Sequence, residues 1–219
     1  MYNQNNKKYT LNQRYFSKWS KNMAYILGFI YADGNMAKDK FRISIASKDL
    51  ELLEQINLEI GSDRPIKLEC NKNGQWWKLT IDNKYIYEDL KLLGLVPNKS
   101  FTCKVPHIPE EFKYDFIRGY FDGDGCIYIK NVNTNTPTAS IDIATASKDF
   151  KDDLLKMLSD ITDDKHKFSV QVRKNGLNII RCNHKVSMNL YKKMYYENCL
   201  CLNRKKEKFD YIIKLRSRI

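Results

Sequence analysis

Two nine-residue stretches of this chain are near-copies of one another, ILGFIYADG at Ile26–Gly34 and IRGYFDGDG at Ile117–Gly125. Each is an apolar run with helical spacing, and each ends in an Asp-Gly pair. Small residues recur four positions apart, which places them on one helix face. These small residues are Gly28 and Ala32 in the first stretch and Gly119 and Gly123 in the second. A glycine inside a helix costs about 0.5–1 kcal/mol relative to alanine, so the pattern favours two closely packed helices over ordinary buried helices with chance glycines.

Each stretch ends in a carboxylate, Asp33 in the first and Asp124 in the second. A helix C-terminus carries partial negative charge, so an aspartate there is disfavoured unless something positive offsets it. Two such ends brought together predict a site for a hard divalent cation with oxygen ligands. The alternative is two solvated helix ends followed by glycine, a common helix-stop signal. The duplication favours the metal site.

The repeat extends well beyond the two motifs. Ile43–Leu50 (ISIASKDL) corresponds to Ile143–Phe150 (IATASKDF), and both halves contain a later Asn-Gly turn. Hydrophobic periodicity then predicts an α+β fold of two pseudo-symmetric α-β-β-α-β-β-α halves, whose antiparallel sheets form a saddle. The predicted units are a basic N-terminal arm at 1–21, a first repeat at 22–97, a linker at 98–110, and a second repeat with a basic C-terminal segment at 111–219.

Several local predictions follow from capping and periodicity signals. The two motif helices are predicted at Asn22–Ala32 and Glu111–Asp122, and a C-terminal helix at Lys206–Arg216. Ser47 is predicted to cap the helix that follows it. The segment Leu177–Cys182 does not alternate cleanly, so its two faces stay unassigned.

Most predicted strands alternate apolar and polar residues, which indicates one face packed on helices and one polar face. The apolar side includes Leu68, Val170 and Val172. A polar face is most often simply solvated, but here the basic balance and the duplicated acids favour a DNA surface, since a two-stranded ribbon fits the major groove. The candidate DNA-contacting residues on the polar face are Arg42, Ser44, Lys67, Glu69, Trp76, Lys78, Thr80, Tyr128, Lys130, Ser140, Asp142, Ser169, Gln171 and Arg173.

The formal net charge of +12 and the pI of about 9.3 predict a polyanionic partner. Basic balance alone is weak evidence, because many ribosomal and membrane-surface proteins share it. The longest apolar run, Met23–Ala32, is too short to span a bilayer, so no membrane role is expected. The six cysteines lack zinc-site spacing and predict reduced thiols in an intracellular protein, with cytoplasm and organelle both open.

The two motifs resemble the signature of the LAGLIDADG homing endonucleases, in the single-chain form that carries two motifs. The resemblance covers nearly the whole chain except the N-terminal arm. It implies a site-specific endonuclease that hydrolyses both strands of a long double-stranded DNA target, with a staggered cut and short 3′ overhangs. It also implies Mg²⁺ as the metal, with Mn²⁺ or Ca²⁺ as other occupants. The first motif departs from the family pattern at Tyr31, where the name-giving sequence has Asp.

The resemblance also assigns roles to particular residues. It makes Asp33 and Asp124 the essential carboxylates, and it places the backbone carbonyls of Ala32 and Gly123 next to the metals. The family often carries a polar-Lys pair after the second strand of each repeat; the matching pairs are Ser47-Lys48 and Ser147-Lys148. Lys48 and Lys148 are therefore candidate catalytic residues, and serine in place of a longer amide leaves the first position's role open. The further basic candidates are Lys99, Arg204 and Lys205.

Unequal halves predict an asymmetric target and a monomeric enzyme. The chief alternative is a non-cleaving nucleic-acid binder on the same scaffold, either an intron maturase with intron RNA as partner or a transcription regulator. A ribosomal or structural RNA-binding protein explains the charge but not the duplicated acids. Two clustered carboxylates repel a phosphate backbone unless a metal is present, which argues against pure binding. An intein is disfavoured, because Met1 is not a splicing nucleophile and no terminal His-Asn pair follows.

Overall fold

The computed structural model describes residues 9–162 and 168–217. The first half contains α1 (Lys21–Asp33), β1 (Gly34–Met36), β2 (Arg42–Ser47), α2 (Leu50–Glu59), β3 (Lys67–Asn71), β4 (Gly74–Asp82) and α3 (Lys84–Leu92). The second half contains α4 (Lys113–Asp124), β5 (Gly125–Lys130), β6 (Thr138–Thr145), α5 (Lys148–Thr162), β7 (Phe168–Val172), β8 (Asn178–Cys182), α6 (His184–Met194) and α7 (Asn203–Arg216). The predicted element order is confirmed in both halves, and α7 follows the second.

Each half builds one antiparallel four-stranded sheet, with strand order β1-β2-β4-β3 in the first and β5-β6-β8-β7 in the second. The registers differ by two residues relative to the sequence repeat, in which Ile43 corresponds to Ile143. Gly34 pairs with Ile45 in the first sheet, and Gly125 pairs with Ile143 in the second. The strand that follows each Asp-Gly pair is therefore the same edge strand in both halves.

Helices α1 and α4 pack against each other through their small residues. A β-carbon on Gly28 would lie 2.1 Å from the carbonyl oxygen of Phe116, and one on Gly119 would lie 1.9 Å from the carbonyl oxygen of Tyr25. Both distances are far inside van der Waals contact, so any larger residue would force the two backbones apart. The predicted close packing is confirmed, and it justifies the propensity cost of glycine inside a helix.

The apolar faces of the inner strands form the core, with Ile43, Ile45, Leu79 and Ile81 buried. The edge strands β3 and β7 behave differently. Their apolar residues Leu68, Val170 and Val172 are exposed, so the prediction that these residues are covered by helices is wrong. The physical reason is coverage: α2 packs on β2 and β4, and α5 packs on β6 and β8, while the two edge strands extend past the helices.

Strand β8 resolves the faces that the sequence leaves unassigned. Ile180 and Cys182 pair with Ile143 and Ile141 and lie on the buried face, whereas Arg181 pairs with Asp142 on the polar face. Asn178 shares the buried face and satisfies its amide by donating to the Thr145 carbonyl at 3.2 Å. The strand therefore does alternate, but a polar residue, Asn178, lies on the buried face and an apolar residue, Ile179, lies on the polar face.

The two serines before the second helix of each half have structural roles. In the first half the N-cap is Asp49, which corrects the prediction of Ser47; the Ser47 hydroxyl instead accepts from the Asp49 amide at 3.1 Å. In the second half the Ser147 hydroxyl accepts from the Phe150 amide at 3.2 Å and donates to the Cys103 carbonyl at 2.6 Å. Short side chains suit both positions because they bond to nearby backbone.

Within residues 9–162 and 168–217, no helix is both long and apolar enough to cross a membrane.

Candidate active site

The two aspartates lie together at the ends of the central helices. Helix α1 runs through Asp33 and α4 runs through Asp124, so both helices extend past their predicted ends. A β-carbon on Gly123 would lie 2.3 Å from the Ala32 β-carbon and 3.1 Å from Oδ2 of Asp33. The Asp33 carboxylate therefore lies against the last turn of α4, one residue before Asp124. The close packing of the helices delivers one acid from each half to a common site.

The surroundings of this pair disfavour two negative charges. Burial and, to a lesser degree, repulsion from Asp124 raise the pKa of Asp33 to about 6, against the opposing effect of Lys205, Lys99 and Arg204. Burial also raises the pKa of Asp124, against the opposing effect of the two lysines. Both side chains still reach solvent on the open side of the site. A divalent cation between them would relieve the repulsion and the desolvation together.

Two buried lysines lie beneath the acids, one from each half. Lys99 is only 7% exposed, and its Nζ donates to the Ala32 carbonyl at 3.1 Å. Lys205 is only 4% exposed, and its Nζ donates to the carbonyls of Phe121, Asp122 (2.7 Å) and Gly123 (3.5 Å). Each ammonium therefore satisfies free carbonyls at a helix C-terminus, where a cation is favoured. Burial lowers the pKa of Lys205 to about 8, which leaves most of the group charged at neutral pH.

The sixth position of each motif anchors the segment that leads to the lysine of that half. In the first half the Tyr31 hydroxyl donates to the Leu93 carbonyl at 2.8 Å. In the second half Asp122 occupies the same position and accepts from the Leu202 amide at 2.7 Å. The departure at Tyr31 therefore changes the chemistry of this anchor while keeping its place in the structure.

Asp122 is the more heavily bonded of the two anchors. It is fully buried and also accepts from the hydroxyl of Tyr25 at 2.9 Å and from that of Tyr195. Burial raises its pKa, and the three donors and Lys205 oppose that rise. A carboxylate enclosed in this way holds the chain around it and does not reach the open side of the site.

The donor set matches a hard cation. In the described ranges no three His, Cys, Asp or Glu side chains cluster as metal ligands, so the site offers two carboxylates and the carbonyls of Ala32 and Gly123. These are all oxygen donors, the type that Mg²⁺ and Ca²⁺ prefer. Each of these carbonyls accepts from a lysine, and a carbonyl oxygen has a second lone pair for a further partner. Because Mg²⁺ usually keeps several waters, two carboxylates suffice for it.

The remaining basic candidates lie around this centre. Lys48 and Lys148 are exposed, one between β2 and α2 and the other at the start of α5. Arg204 pairs with Asp49 at 3.1 Å across the two halves, and the neighbouring Asn203 donates to Glu51 at 3.2 Å. Of the basic candidates, Lys99 and Lys205 are therefore the ones buried at the helix ends.

The polar faces of the two sheets gather the predicted DNA-contacting residues. Cross-strand pairing places Ser44 opposite Thr80 and Tyr128 opposite Ser140, as the alternation predicts. Apart from Asp142, every one of these candidates is at least partly exposed. Some are engaged already: Arg42 bonds to Asp82 at 3.0 Å and Lys78 to Glu69 at 3.1 Å. Asp142 is buried beneath Arg181, so its carboxylate does not face the open surface.

Sequence reasoning missed Arg181 because its strand does not alternate. The sequence did contain one indication of Arg181, namely Asp142, because a single acid on a basic sheet face requires a cationic partner on the neighbouring strand. It also missed Tyr31, Asp122 and Tyr195, whose roles depend on the connection between distant elements. Asp122 lies within a motif that already contained a more obvious carboxylate.

The comparison with known families agrees with this geometry. The family described as the LAGLIDADG-like domain matches residues 20–94 and again 111–181. The chain belongs to the LAGLIDADG family. Its two repeats correspond to the two halves of the fold, as the motifs predicted. The LAGLIDADG signature of this chain thus provides both the helix interface and the twin aspartates.

Solved structures share the LAGLIDADG fold over most of this chain. The homing endonuclease I-WcaI, bound to its DNA recognition sequence, has a TM-score of 0.61 at 17% identity, over 90% of this chain and 91% of that chain. Full-length DUF199/WhiA from Thermatoga maritima has a TM-score of 0.58 at 14% identity, over 94% of this chain and 65% of that chain. I-DmoI in complex with DNA and Mn has a TM-score of 0.54 at 14% identity, over 84% of this chain and 97% of that chain. At these identities the likeness establishes the fold.

Curated relatives of this LAGLIDADG chain are much longer proteins. Uncharacterized protein MJ1054 of Methanocaldococcus jannaschii is 30% identical over 66% of this chain and 17% of its own length. The probable translation initiation factor IF-2 of Thermococcus kodakarensis is 27% identical over 61% of this chain and 11% of its own length. The replication factor C small subunit of M. jannaschii is 32% identical over 63% of this chain and 9% of its own length. The chain therefore spans less than a fifth of each of these relatives.

Proposed function

We propose that this protein is a site-specific double-strand DNA endonuclease that depends on a divalent metal ion. The observation that carries the proposal is the meeting of Asp33 and Asp124 at one site, with Gly123 packed against Ala32 and the Asp33 carboxylate. Two acids with raised pKa values beside two buried lysines destabilise the fold. A purely structural role does not explain such an arrangement. Phosphodiester hydrolysis does, because it requires carboxylates that bind metal and positive charge beside them.

Each residue of the site has a separate proposed role in hydrolysis. Asp33 and Asp124, with the carbonyls of Ala32 and Gly123, would hold the divalent cation between the halves. When bound, such ions lower the pKa of a water and stabilise the attacking and leaving oxygens of the phosphate. Lys99 and Lys205 offset the negative helix ends and so favour ionised acids at neutral pH. Lys48, exposed just before α2, and Lys148, exposed at the start of α5, are proposed to place positive charge near the scissile phosphates.

The polar sheet faces are proposed to bind double-stranded DNA. Support comes from the net charge of +12 and from the exposed polar side chains that the strand registers align. It also comes from the shared fold, because I-WcaI and I-DmoI are described in complexes with DNA. A compact chain of this length has a radius of gyration of about 17 Å. An elongated saddle of roughly 45–60 Å would cover on the order of 13–18 base pairs.

The distribution of relatives supports a mobile element. A translation initiation factor and a replication factor subunit are named for different processes. Each nevertheless shares a segment with this chain, which makes up only 11% of the initiation factor and 9% of the replication factor subunit. A unit that occurs inside unrelated proteins moves independently of its hosts. We therefore propose that cutting serves the homing of such a unit. We also propose that the enzyme is intracellular. It should act as a monomer, because one chain supplies both acids.

The test selects cleavable sites from a random duplex library in Mg²⁺. The wild-type chain should cut both strands at one sequence class, and Asp33→Asn or Asp124→Asn should each lower the rate by about 10²–10³-fold or more. Both substitutions should leave binding intact, because they remove negative charge from a surface facing DNA. Cutting that persists in the double variant would refute the catalytic roles.

A second function has its own support. The fold is shared with DUF199/WhiA, a protein that is not named as a nuclease. A non-cleaving binder, whether a transcription regulator or an intron maturase, would select a sequence without cutting it. The library separates the two: a bound consensus with no cut products in Mg²⁺ or Mn²⁺ would favour the binder. Selection from an RNA library alongside would distinguish a maturase from a DNA regulator.

A further inference from the structure

One carboxylate on the polar face of the second sheet is buried. Asp142, on the polar side of β6, is only 4% exposed. Taking a carboxylate out of water is costly unless it is paired and hydrogen-bonded. The cover is Arg181, which reaches over Asp142 from the neighbouring strand β8. The ion pair with Arg181 therefore offsets the desolvation of Asp142 and fixes the arginine side chain in return.

The arginine is held in a defined orientation. Its Nε donates to one carboxylate oxygen of Asp142 at 2.7 Å, and its Nη2 donates to the other at 2.6 Å. The guanidinium also lies 5.8 Å from the ring centre of Tyr128 on β5, within the range of a cation–π contact. A two-point carboxylate contact fixes the plane of the guanidinium, and the ring limits its tilt. The side chain nevertheless stays 49% exposed, so its outer edge faces the open surface.

This arrangement suits recognition of a base more than neutralisation of a phosphate. The pair of Asp142 and Arg181 carries no net charge, so it attracts a phosphate backbone weakly. A guanidinium has five N–H donors, and Asp142 takes up only the edge formed by Nε and Nη2. The opposite edge can present two parallel donors, which match the N7 and O6 acceptors of guanine in the major groove. Prior fixing of the side chain removes much of the entropy that binding would otherwise cost.

We propose that Arg181 recognises a guanine in the target, with Asp142 and Tyr128 as the residues that position it. The inference rests on the proposed DNA-binding function and specifies one of its contacts. In the first half Ser44 and Thr80 lie at the same register distance from the Asp-Gly pair, and the bidentate pair on that face is Arg42 with Asp82, whose carboxylate also accepts from Arg64. The guanine preference that depends on Arg181 should therefore lie in the half of the target over the second sheet.

The experiment measures base preference at every position of a randomised duplex by binding selection at fixed ionic strength. The full chain carries Asp33→Asn and Asp124→Asn, so that cleavage does not deplete the bound pool. Arg181→Ala and Arg181→Lys are compared on this background with Thr80→Ala, the matched position in the first half, and with Lys130→Ala, an exposed lysine on the same sheet. Asp142→Asn tests the positioning residue without changing its size.

The expected result is a guanine whose preference over other bases falls by about 5- to 150-fold in Arg181→Ala, at one or two adjacent positions. Arg181→Lys should lose the same preference, because an ammonium lacks the planar fork. Asp142→Asn should weaken the preference with a smaller loss. Thr80→Ala should alter the other half-site only, and Lys130→Ala should weaken binding to all sequences alike.

Four outcomes would overturn the inference in distinguishable ways. Selection of a sequence without a guanine in either half, or a guanine preference unchanged in Arg181→Ala, would remove the role of Arg181 while leaving DNA binding in place. Wild-type preference in Arg181→Lys would show that charge alone suffices. Absence of any selected sequence in the starting chain would refute the proposed function itself.

Discussion

The two halves hold their lysines under the central helix ends by different means. In the first half Lys99 reaches one helix-end carbonyl, and the neutral hydroxyl of Tyr31 ties the preceding segment to Leu93. In the second half Lys205 reaches three carbonyls, and the buried carboxylate of Asp122 ties the preceding segment to Leu202. A duplicated fold can therefore conserve the position of a charge while the bonds that hold it diverge.

The difference has an energetic consequence. Asp122 has three protein donors and lies within reach of an ammonium, so it belongs to a network whose members depend on one another. Tyr31 makes one neutral hydrogen bond at its tip, and its ring packs against Phe116 and Phe150. Loss of a network member leaves buried groups unpaired, whereas loss of a single hydroxyl leaves one carbonyl without its donor. The halves should therefore respond unequally to matched substitutions.

The largest expected effect comes from removing the buried anchor of the second half. Asp122→Ala should lower the free energy of unfolding by about 3–5 kcal/mol, because two hydroxyls, an amide and Lys205 lose a buried partner. The matched change Tyr31→Phe should cost only about 1 kcal/mol. Chemical denaturation at pH 7 measures both. Equal costs in the two variants would contradict the inequality of the anchors.

The glycines of the helix interface should behave symmetrically, in contrast to the anchors. Gly28→Ala and Gly119→Ala should each lower the free energy of unfolding by about 1–3 kcal/mol, since each methyl group would collide with backbone atoms of the facing helix. Gly176→Ala is a control in a turn with φ of +80° and open space around it, where backbone strain alone acts. A cost at Gly28 or Gly119 no greater than that at Gly176 would show that the helices can separate without penalty.

The lysines should differ in the same direction as the anchors. Lys205→Met should cost about 2 kcal/mol of unfolding free energy and Lys99→Met about 1 kcal/mol, because Lys205 satisfies more helix-end carbonyls. Methionine keeps most of the buried volume, so packing loss is limited in both. Denaturation curves measured in parallel provide the comparison. A larger cost at Lys99 would reverse the proposed order.

Asp33 should show the smallest effect and the opposite sign. Its pKa is about 6 in the folded chain and 3.8 in the reference state, so the folded state keeps this proton to higher pH. The free energy of unfolding therefore falls as pH rises from about 4 to 6, and the deficit persists above that range. Because the carboxylate reaches solvent, screening reduces the effect to about 1 kcal/mol.

Asp33→Asn should remove this deficit. Without divalent metal at pH 8, the variant should be about 1 kcal/mol more stable than wild type, and the gain should vanish near pH 4. Thermal melts across pH 4–8 measure it. Stability that is lower than wild type at pH 8 would mean that the ionised carboxylate stabilises the fold.

The sequence allowed the overall fold and the location of the acids to be predicted, because both depend on local patterns. Gly28 and Gly119 share a spacing that only close helix packing explains, and Asp33 and Asp124 end the same runs. Strand alternation placed most polar residues on one face. It failed at Leu68 and Val172, because whether a helix reaches an edge strand depends on tertiary coverage that the alternation does not encode.

Long-range partners in the site could not be predicted in the same way. The sequence left Arg204 and Lys205 as equal candidates, and the start of α7 decides between them. With the helix beginning at Asn203, before its predicted start at Lys206, Lys205 shares the buried face with Phe209 and Ile212. Likewise, Asp142 looked like a surface acid until its strand register paired it with Arg181.

The most direct test of the account is Mn²⁺ binding to the complex with the selected duplex, measured at equilibrium by electron paramagnetic resonance. Metal is proposed to bind between the two halves, so Asp33→Asn and Asp124→Asn should each weaken all Mn²⁺ binding by at least about 10-fold. Single variants that keep half of the sites at unchanged affinity would contradict it. They would show that each aspartate binds metal independently and that the two halves do not share a centre.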